Sequence, residues 1–256
     1  MGHLLSVYAL PEFADPQQLA GGTAVVIDVL RASTTIVYAL EAGAREVIPC
    51  EEVAEARAVA RNMPPDAVVL GGERGGLPIE GFDLGNSPRE YLPQKVGGKT
   101  LVFTTTNGTR AILRARHADR VLIGAFVNAS AVAEQLTGQP QIHLLCAGTR
   151  GRIGRDDLLL AGLLVDRILG QGDLAYEQNA GAVSARQTWL HSVAQPPSVA
   201  GESFQPQQLV EQLRDSLGGK NLIAIGLEED IMAAAWIDRF RSVPELDRDK
   251  TRIRLI

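Results

Sequence analysis

The chain has 256 residues, 45% of them apolar, with 30 acidic against 25 basic side chains for a net charge of −5. That length can bury a full core as one large domain or two small ones, and the negative balance argues against a nucleic-acid partner, which a basic face would serve. Two cysteines, Cys50 and Cys146, are too few for a disulfide framework or a thiolate zinc site, so a reducing cytosol is the natural setting.

The first segment, "MGHLLSVYAL", lacks the cationic start and cleavage site of a signal peptide. Gly2 with Ser6 fits a permissive myristoylation pattern, but "LLSVYAL" reads more simply as a first strand over Leu4–Ala9. Further strands are predicted over Thr23–Val29, Glu46–Cys50, Ala67–Leu70, Thr100–Thr104, Arg120–Gly124, Ile142–Cys146, Leu222–Gly226 and Arg252–Ile256. Helices are predicted over Ser33–Ala42, Val53–Arg61, Gly108–Ala115, Ser130–Leu136, Asp157–Leu169, Ala182–Leu190, Pro206–Ser216 and Glu228–Arg239. This alternation predicts an α/β protein, a layered α/β/α fold with a mixed, largely parallel sheet. A polar connection spans Pro196 to Gln207, but no linker divides the chain, which is treated as one domain over 1–256. No apolar run reaches the ~20 residues that cross a bilayer, so the expectation is a cytoplasmic protein without a membrane partner.

Three predicted strand ends carry an excess of hydrogen-bond donors. "VVIDVLRAST" delivers Asp28, Arg31, Ser33 and Thr34; "LVFTTTNGTRA" delivers Thr105, Thr106, Asn107 and Arg110; "HLLCAGTRGRIGRDD" delivers Thr149, Arg150, Arg152, Asp156 and Asp157. Ligands of open α/β sheets sit outside the carboxyl ends of strands, where helix N-termini offer free N–H groups to an anion. Each stretch alone is also ordinary cap or turn chemistry, and it is their convergence that points to an anion site. A glycine-rich loop, "GGERGGLPIEGFDLGNSP", adds Glu73, Asp83, Asn86 and Ser87 as groups that can face a ligand.

Asp28 follows four apolar residues, and an unpaired carboxylate at the end of a buried strand would be costly. Arg31 can pair with it, or a magnesium ion bound through one or two carboxylates plus water and phosphate. Glu73 and Asp157 also follow apolar segments, so a sparse Mg²⁺ site of Asp28, Glu73 and Asp157 is plausible. The known phosphate motifs are missing: there is neither a G-x-x-x-x-G-K-[ST] loop nor a helix-opening G-x-G-x-x-G. "DVLRAST" has Leu30 where an aspartyl phosphatase carries its second aspartate. "CAGTRGR" sets Cys146 and Arg152 in a Cys-x5-Arg relation, which keeps a cysteine-thiolate phosphatase as an alternative, although Cys146 ends an apolar strand.

Taken together and in order, "VVIDVLRASTT", "GGERGG", "IEGFDLGNSPREY", "GKTLVFTTTNGTRAI", "VLIGAFVNASAVA", "CAGTRGR" with "DDLLLAG", and "GLEEDIMAAAWID" resemble the 2-phosphosulfolactate phosphatase family of coenzyme M biosynthesis, from about Val25 to Pro244. The resemblance implies a Mg²⁺-dependent phosphomonoesterase that converts 2-phosphosulfolactate to sulfolactate and phosphate. The family pattern has Glu-Asp where this chain has Asp156-Asp157, which keeps the second acid. The expected site then has Asp28, Glu73 and Asp157 at the metal; Arg31, Asn107, Arg110 and Arg152 on the substrate's anions; and Ser33, Ser87 and Thr106 donating hydrogen bonds. Asp28, Arg31, Asn107 and Asp157 are the expected catalytic groups. A non-catalytic binder of small phospho-acids would use the same arginines but would have no use for three acids beside an anion. A homo-oligomer stays open.

Overall fold

The computed structural model describes residues 2–170, 174–193, 204–249 and 251–256. Among them the strands are β1 (His3–Tyr8), β2 (Thr23–Ile27), β3 (Glu46–Pro49), β4 (Val68–Arg74), β5 (Leu77–Pro78), β6 (Thr100–Thr104), β7 (Arg120–Gly124), β8 (Gln141–Cys146), β9 (Tyr176–Gln178), β10 (Pro244–Asp247) and β11 (Arg252–Leu255). The helices are α1 (Pro16–Leu19), α2 (Ala32–Glu41), α3 (Val53–Arg61), α4 (Pro93–Val96), α5 (Gly108–Ala115), α6 (Ala129–Leu136), α7 (Arg155–Gly170), α8 (Ala180–Ser192), α9 (Gln207–Asp215), α10 (Leu217–Ala224) and α11 (Glu229–Ala234). No helix among the described residues is long and apolar enough to cross a membrane.

The strands form one mixed sheet in the order β5-β4-β6-β3-β11-β10-β7-β2-β8-β1-β9. Two parallel blocks, β4-β6-β3 and β7-β2-β8-β1-β9, are joined by the antiparallel β10–β11 hairpin. Helices cover both faces, which gives the layered α/β/α fold that the alternation of elements predicts. All five residues of β2 are buried. Its side chains alternate between two cores: Val25 and Ile27 pack with residues of α6, α7 and α8, and Ala24 and Val26 with residues of α2 and α5. A strand buried on both sides reads as a continuous apolar run, which is why "TAVVI" is legible as a central strand.

The hairpin joins each block through a single residue pair, Ile253 with Val47 and Glu245 with Leu122. Side chains fasten what the backbone barely pairs. Arg120 donates to Glu245 at 2.8 Å on one side. On the other, Glu46, only 1% exposed, accepts from Arg254 at 2.6 Å, from Thr100 at 3.1 Å, and from Arg252. With so little pairing at the join, the blocks need not continue as one flat surface. Helix α5, which leaves β6 of the first block, packs on β2 of the second. The carboxyl ends of β4 and β6 thereby meet those of β2 and β8.

One predicted strand is corrected. Leu222–Gly226 lies in and just after helix α10, whose start is capped by Ser216 Oγ accepting from the Gly219 N–H at 2.9 Å. A short apolar run fits either a strand or a buried helix, and here the cap decides. The helix predicted over Glu228–Arg239 is shorter, because Ile237 pairs its backbone with Phe204 and Asp238 takes a positive φ. Strands β5, β9 and β10 are two to four residues long and carry no usable periodicity. Of the polar connection around Pro196 to Gln207, residues 196–203 lie outside the described residues. The glycine-rich loop is ordered: its start extends β4, and Gly72 (φ 141°) sits where a Cβ would lie 1.9 Å from the Thr104 carbonyl oxygen. Only glycine lets β4 approach β6 so closely.

The Glu46 cluster yields a stability test. Burial alone would raise its carboxyl, but hydrogen bonds from Arg254 and Thr100 and the charges of Arg252 and Arg254 hold it below the usual glutamate value. A carboxyl depressed in the folded state stabilises above its unfolded pKa, and that contribution is lost as pH falls through the folded pKa. Glu46→Gln is therefore expected to cost about 2 kcal/mol at pH 7, since half-exposed arginines can rehydrate, with the difference from wild type shrinking in acid. Urea unfolding of both proteins at pH 7 and in the acid range checks this.

Candidate active site

Four strand ends and one helix enclose a cleft of ≈ 210 Å³. Asp28 and Arg31 follow β2, Glu73 and Gly76 lie at the β4–β5 turn, Thr106 and Asn107 follow β6, and Thr149 and Arg150 follow β8. Asn86 and the α10 residues Gly218, Asn221 and Leu222 close the remaining sides.

Asp28 is buried to 7% exposure, and its Oδ1 accepts the N–H of Ala32, the first residue of α2, at 3.2 Å. Helix α5 starts against its other oxygen: a Cβ on Gly108 would lie 2.7 Å from Asp28 Oδ2 and 2.5 Å from the Ala32 methyl. Burial pushes the Asp28 carboxyl up to about 7; the Ala32 N–H opposes this, Asp156 and Glu73 add to it, and Arg31 opposes it. Asp156, in the first turn of α7, is pushed up to about 6 by burial against several hydrogen bonds, one from Ser216. Its Oδ1 is buried without a hydrogen-bond partner.

Arg31 is only 4% exposed and donates Nη1 to Asp230 Oδ2 at 2.8 Å and Nη2 to the Gly76 carbonyl at 2.9 Å. A guanidinium carries five N–H donors, so these two bonds do not exhaust it, and Arg31 lines the cleft. The Leu30–Arg31 peptide is cis. Asn107 Oδ1 accepts the Arg150 N–H at 3.3 Å, which leaves its amide N–H₂ for an anion. Thr106 is committed to the protein: its N–H and Oγ1 donate to the two oxygens of Glu73 at 2.7 and 3.1 Å. Glu73 also accepts the Gly76 N–H at 2.6 Å. It therefore staples the β4–β5 turn to the end of β6.

Asp157 does similar work deeper down. Its Oδ1 accepts the Val29 N–H at 2.9 Å and its Oδ2 the Gly148 N–H at 2.8 Å, clamping the ends of β2 and β8 to the start of α7. Burial, then Asp156 and Asp28, hold its carboxyl well above the usual range, against those two N–H groups. It does not line the cleft. Among the described residues no group of three or more His, Cys, Asp or Glu is arranged to hold a metal ion. Of the expected trio, Asp28 and Glu73 line the cleft together, while Asp157 lies behind the lining with one backbone N–H on each oxygen. The donor set suits a hard cation bound sparsely: Asp28 and Glu73 open onto the cleft, and Asp156, behind the lining, has a buried oxygen in need of a partner.

Other expected residues lie outside the lining. Arg110, the third residue of α5, turns to Glu51 at 3.6 Å and is 66% exposed. The buried face of α5, formed by Ala111, Ile112 and Ala115, sets that direction. Arg152 is exposed on the turn after β8. Ser33 Oγ donates to the Asp28 carbonyl at 2.9 Å and accepts the Asp28 N–H at 3.1 Å, tying the first turn of α2 to the end of β2. Ser87 donates to Asp230 Oδ1 at 2.5 Å. Cys146 is fully buried, and burial, then Asp157 and Asp156, push its thiol well up. That is the reverse of the electropositive, accessible setting a thiolate nucleophile needs, so the Cys146–Arg152 alternative has no support in the geometry. Residues missed by sequence reasoning are Asp230 and the α10 wall; the N-capping "SLGG" before the apolar run was the available signal for α10.

The profile of the 2-phosphosulpholactate phosphatase family matches residues 8–249. A protein of Caldanaerobacter subterraneus subsp. tengcongensis is 36% identical over 243 residues, spanning 94% of this chain and 95% of the relative. A Thermotoga maritima protein is 40% identical over 228 residues, 88% of each chain. One from Deinococcus radiodurans is 41% identical over 226 residues, 87% of each chain. All three are named probable 2-phosphosulfolactate phosphatase.

Two contrasts test this geometry. Asn107→Ala is expected to weaken inorganic-phosphate binding by about one to two decades through loss of a donor to a charged group, whereas Arg110→Ala should bind phosphate like wild type. Titration calorimetry of both variants reads this directly. Asp157→Ala should leave two buried N–H groups without acceptors and cost about 2–5 kcal/mol, visible as a lowered urea midpoint without any ligand present.

Proposed function

The chain belongs to the 2-phosphosulpholactate phosphatase family, and from that premise we propose that this cleft hydrolyses 2-phosphosulfolactate, or a closely related small phosphorylated hydroxy acid, to the hydroxy acid and phosphate with the help of Mg²⁺. The observation that supports this most is the β2–α2 turn. It places a buried guanidinium with uncommitted donors, Arg31, three residues from Asp28, a carboxylate opening onto the same cleft.

Such a substrate bears phosphate, carboxylate and sulfonate on three carbons, so several donors must meet it at once. Arg31 and the Asn107 amide are placed to bind its anionic oxygens, with Thr149 and the exposed Arg150 at the rim. The N-termini of α2 and α5 end at Asp28 and add their positive ends to the site. Asp28 would hold Mg²⁺, with Glu73 on the same cleft and the unpartnered oxygen of Asp156 behind it as the further acids, and water and the phosphate completing its shell. When bound, the ion supplies positive charge to the transferring phosphoryl group. Arg31 and Asn107 would stabilise the charge that builds on the equatorial oxygens, and an acid lining the cleft, Asp28 foremost, would orient or deprotonate an attacking water. A place in coenzyme M biosynthesis and a cytosolic setting follow from this reading of the substrate.

A panel of phosphorylated hydroxy acids, assayed with and without Mg²⁺ and after EDTA, tests it. The expected result is phosphate release that EDTA abolishes and Mg²⁺ restores, with the highest kcat/KM on 2-phosphosulfolactate. Mg²⁺ should also raise the melting temperature of wild type but not of Asp28→Asn. Cys146→Ser should keep most of the activity; a dead, metal-indifferent Cys146→Ser enzyme with an intact fold would sink the reading.

A further inference from the structure

The position of Arg31 is not explained by its own turn. Two acids, Asp28 and Glu73, line the same cleft, and a free guanidinium would fall onto one of them, cancelling the cation and the carboxylate together. What prevents this comes from 199 positions along the chain. Asp230 sits in the first turn of α11, 1% exposed, and accepts Arg31 Nη1 at 2.8 Å on Oδ2. Its other oxygen accepts the Ser87 hydroxyl at 2.5 Å. Ser87 is held in turn, because the carbonyl of Asn86 beside it accepts the Thr35 hydroxyl of α2 at 2.9 Å. The Gly76 carbonyl takes Nη2 from the other side at 2.9 Å.

Neutralising a buried arginine needs only one carboxylate contact. Here each Nη donates once and each carboxylate oxygen accepts once, so both planes are held at two points. We propose that Asp230 is a positioning residue for the reaction, with Ser87 as its brace: it holds Arg31 off Asp28 and turns the remaining guanidinium donors to the phosphoryl group. The assignment rests on the reading of the cleft as a phospho-acid site. It also gives the segment after residue 204 a role in the site, since α10 forms a wall of the cleft and α11 supplies the anchor of its main cation.

The test is a double-mutant cycle in the full-length protein, read as the Kd of inorganic phosphate by calorimetry and as kcat and KM on 2-phosphosulfolactate, beside the melting temperature. Asp230→Asn, which keeps the shape but not the charge, should weaken phosphate binding and lower kcat/KM by 10- to 100-fold. In an Arg31→Gln background the same change should alter phosphate affinity less than twofold, because there is no guanidinium left to position. Ser87→Ala should lower affinity 3- to 10-fold at a near wild-type melting temperature, which keeps the cycle informative if Asp230→Asn folds poorly. Asp230→Glu should recover part of the loss. Wild-type phosphate affinity in Asp230→Asn, or an undiminished effect in the Arg31→Gln background, overturns the positioning role alone. A wild-type protein that binds no phosphate and hydrolyses none of the panel overturns the phospho-acid site and the positioning role with it.

Discussion

The structure depends on taking carboxylates out of water where β2 and β8 end. Asp28, Asp156 and Asp157 are each no more than 7% exposed. Desolvation drives all three upward, Asp156 raises Asp28 and Asp157 further, and Asp28 adds to Asp157. Such burial is tolerable only where donors meet the charge. Backbone geometry supplies them: the first N–H of α2 for Asp28, and the N–H groups of Val29 and Gly148 for Asp157. The three acids therefore divide the work. Asp157 holds strand ends and a helix start together, Asp28 opens onto the cleft, and Asp156 keeps one buried oxygen without a partner.

The same economy explains Glu73. A glutamate at the end of β4, read in isolation, looks like a metal ligand. In the fold it accepts from Thr106 and Gly76 and so registers the β4–β5 turn against the end of β6. Because β4 and β6 belong to one parallel block and β2 and β8 to the other, the cleft exists only if such staples hold the two sets of strand ends in place. Asp28 and Glu73 line one cleft, but Glu73 accepts donors from two strand ends on both its oxygens, whereas Asp28 accepts the first N–H of α2 on one.

How much of this was legible follows from the range over which each signal acts. Asp28, Arg31, Thr106 and Asn107 could be placed at one cleft because a buried strand followed by a donor-rich turn is a local pattern, and parallel strands bring such turns to a common edge. Arg110 could not, because its direction is fixed by which face of α5 packs on the sheet, and Glu51, far off in sequence, receives it. Leu222 and Ile223 looked like strand because their apolar run is too short to show a period, and the Ser216 cap carries the decision. The Asp230 contact lay beyond reach, since a buried acid in a short helix names no partner 199 residues away. Such long-range polar pairs are also what positions a site most tightly.

A net charge of −5 is awkward for a protein whose ligand is a polyanion. Long-range attraction between them is weak at physiological salt, where fields fade within roughly 8 Å. Recognition has to come from cations within the cleft, and these must be kept from the protein's own acids. A solvated arginine would serve poorly, because it loses rotamer freedom and hydration on binding. Arg31 has given up both before any ligand arrives, being 4% exposed and held at two nitrogens. The cost of its order is carried by folding, through Asp230 and the Gly76 carbonyl. Binding energy is then left for the phosphoryl group. On the proposed reading, a cation already paired with a buried carboxylate can still serve an anion, because the ordering of its side chain is complete before the ligand arrives.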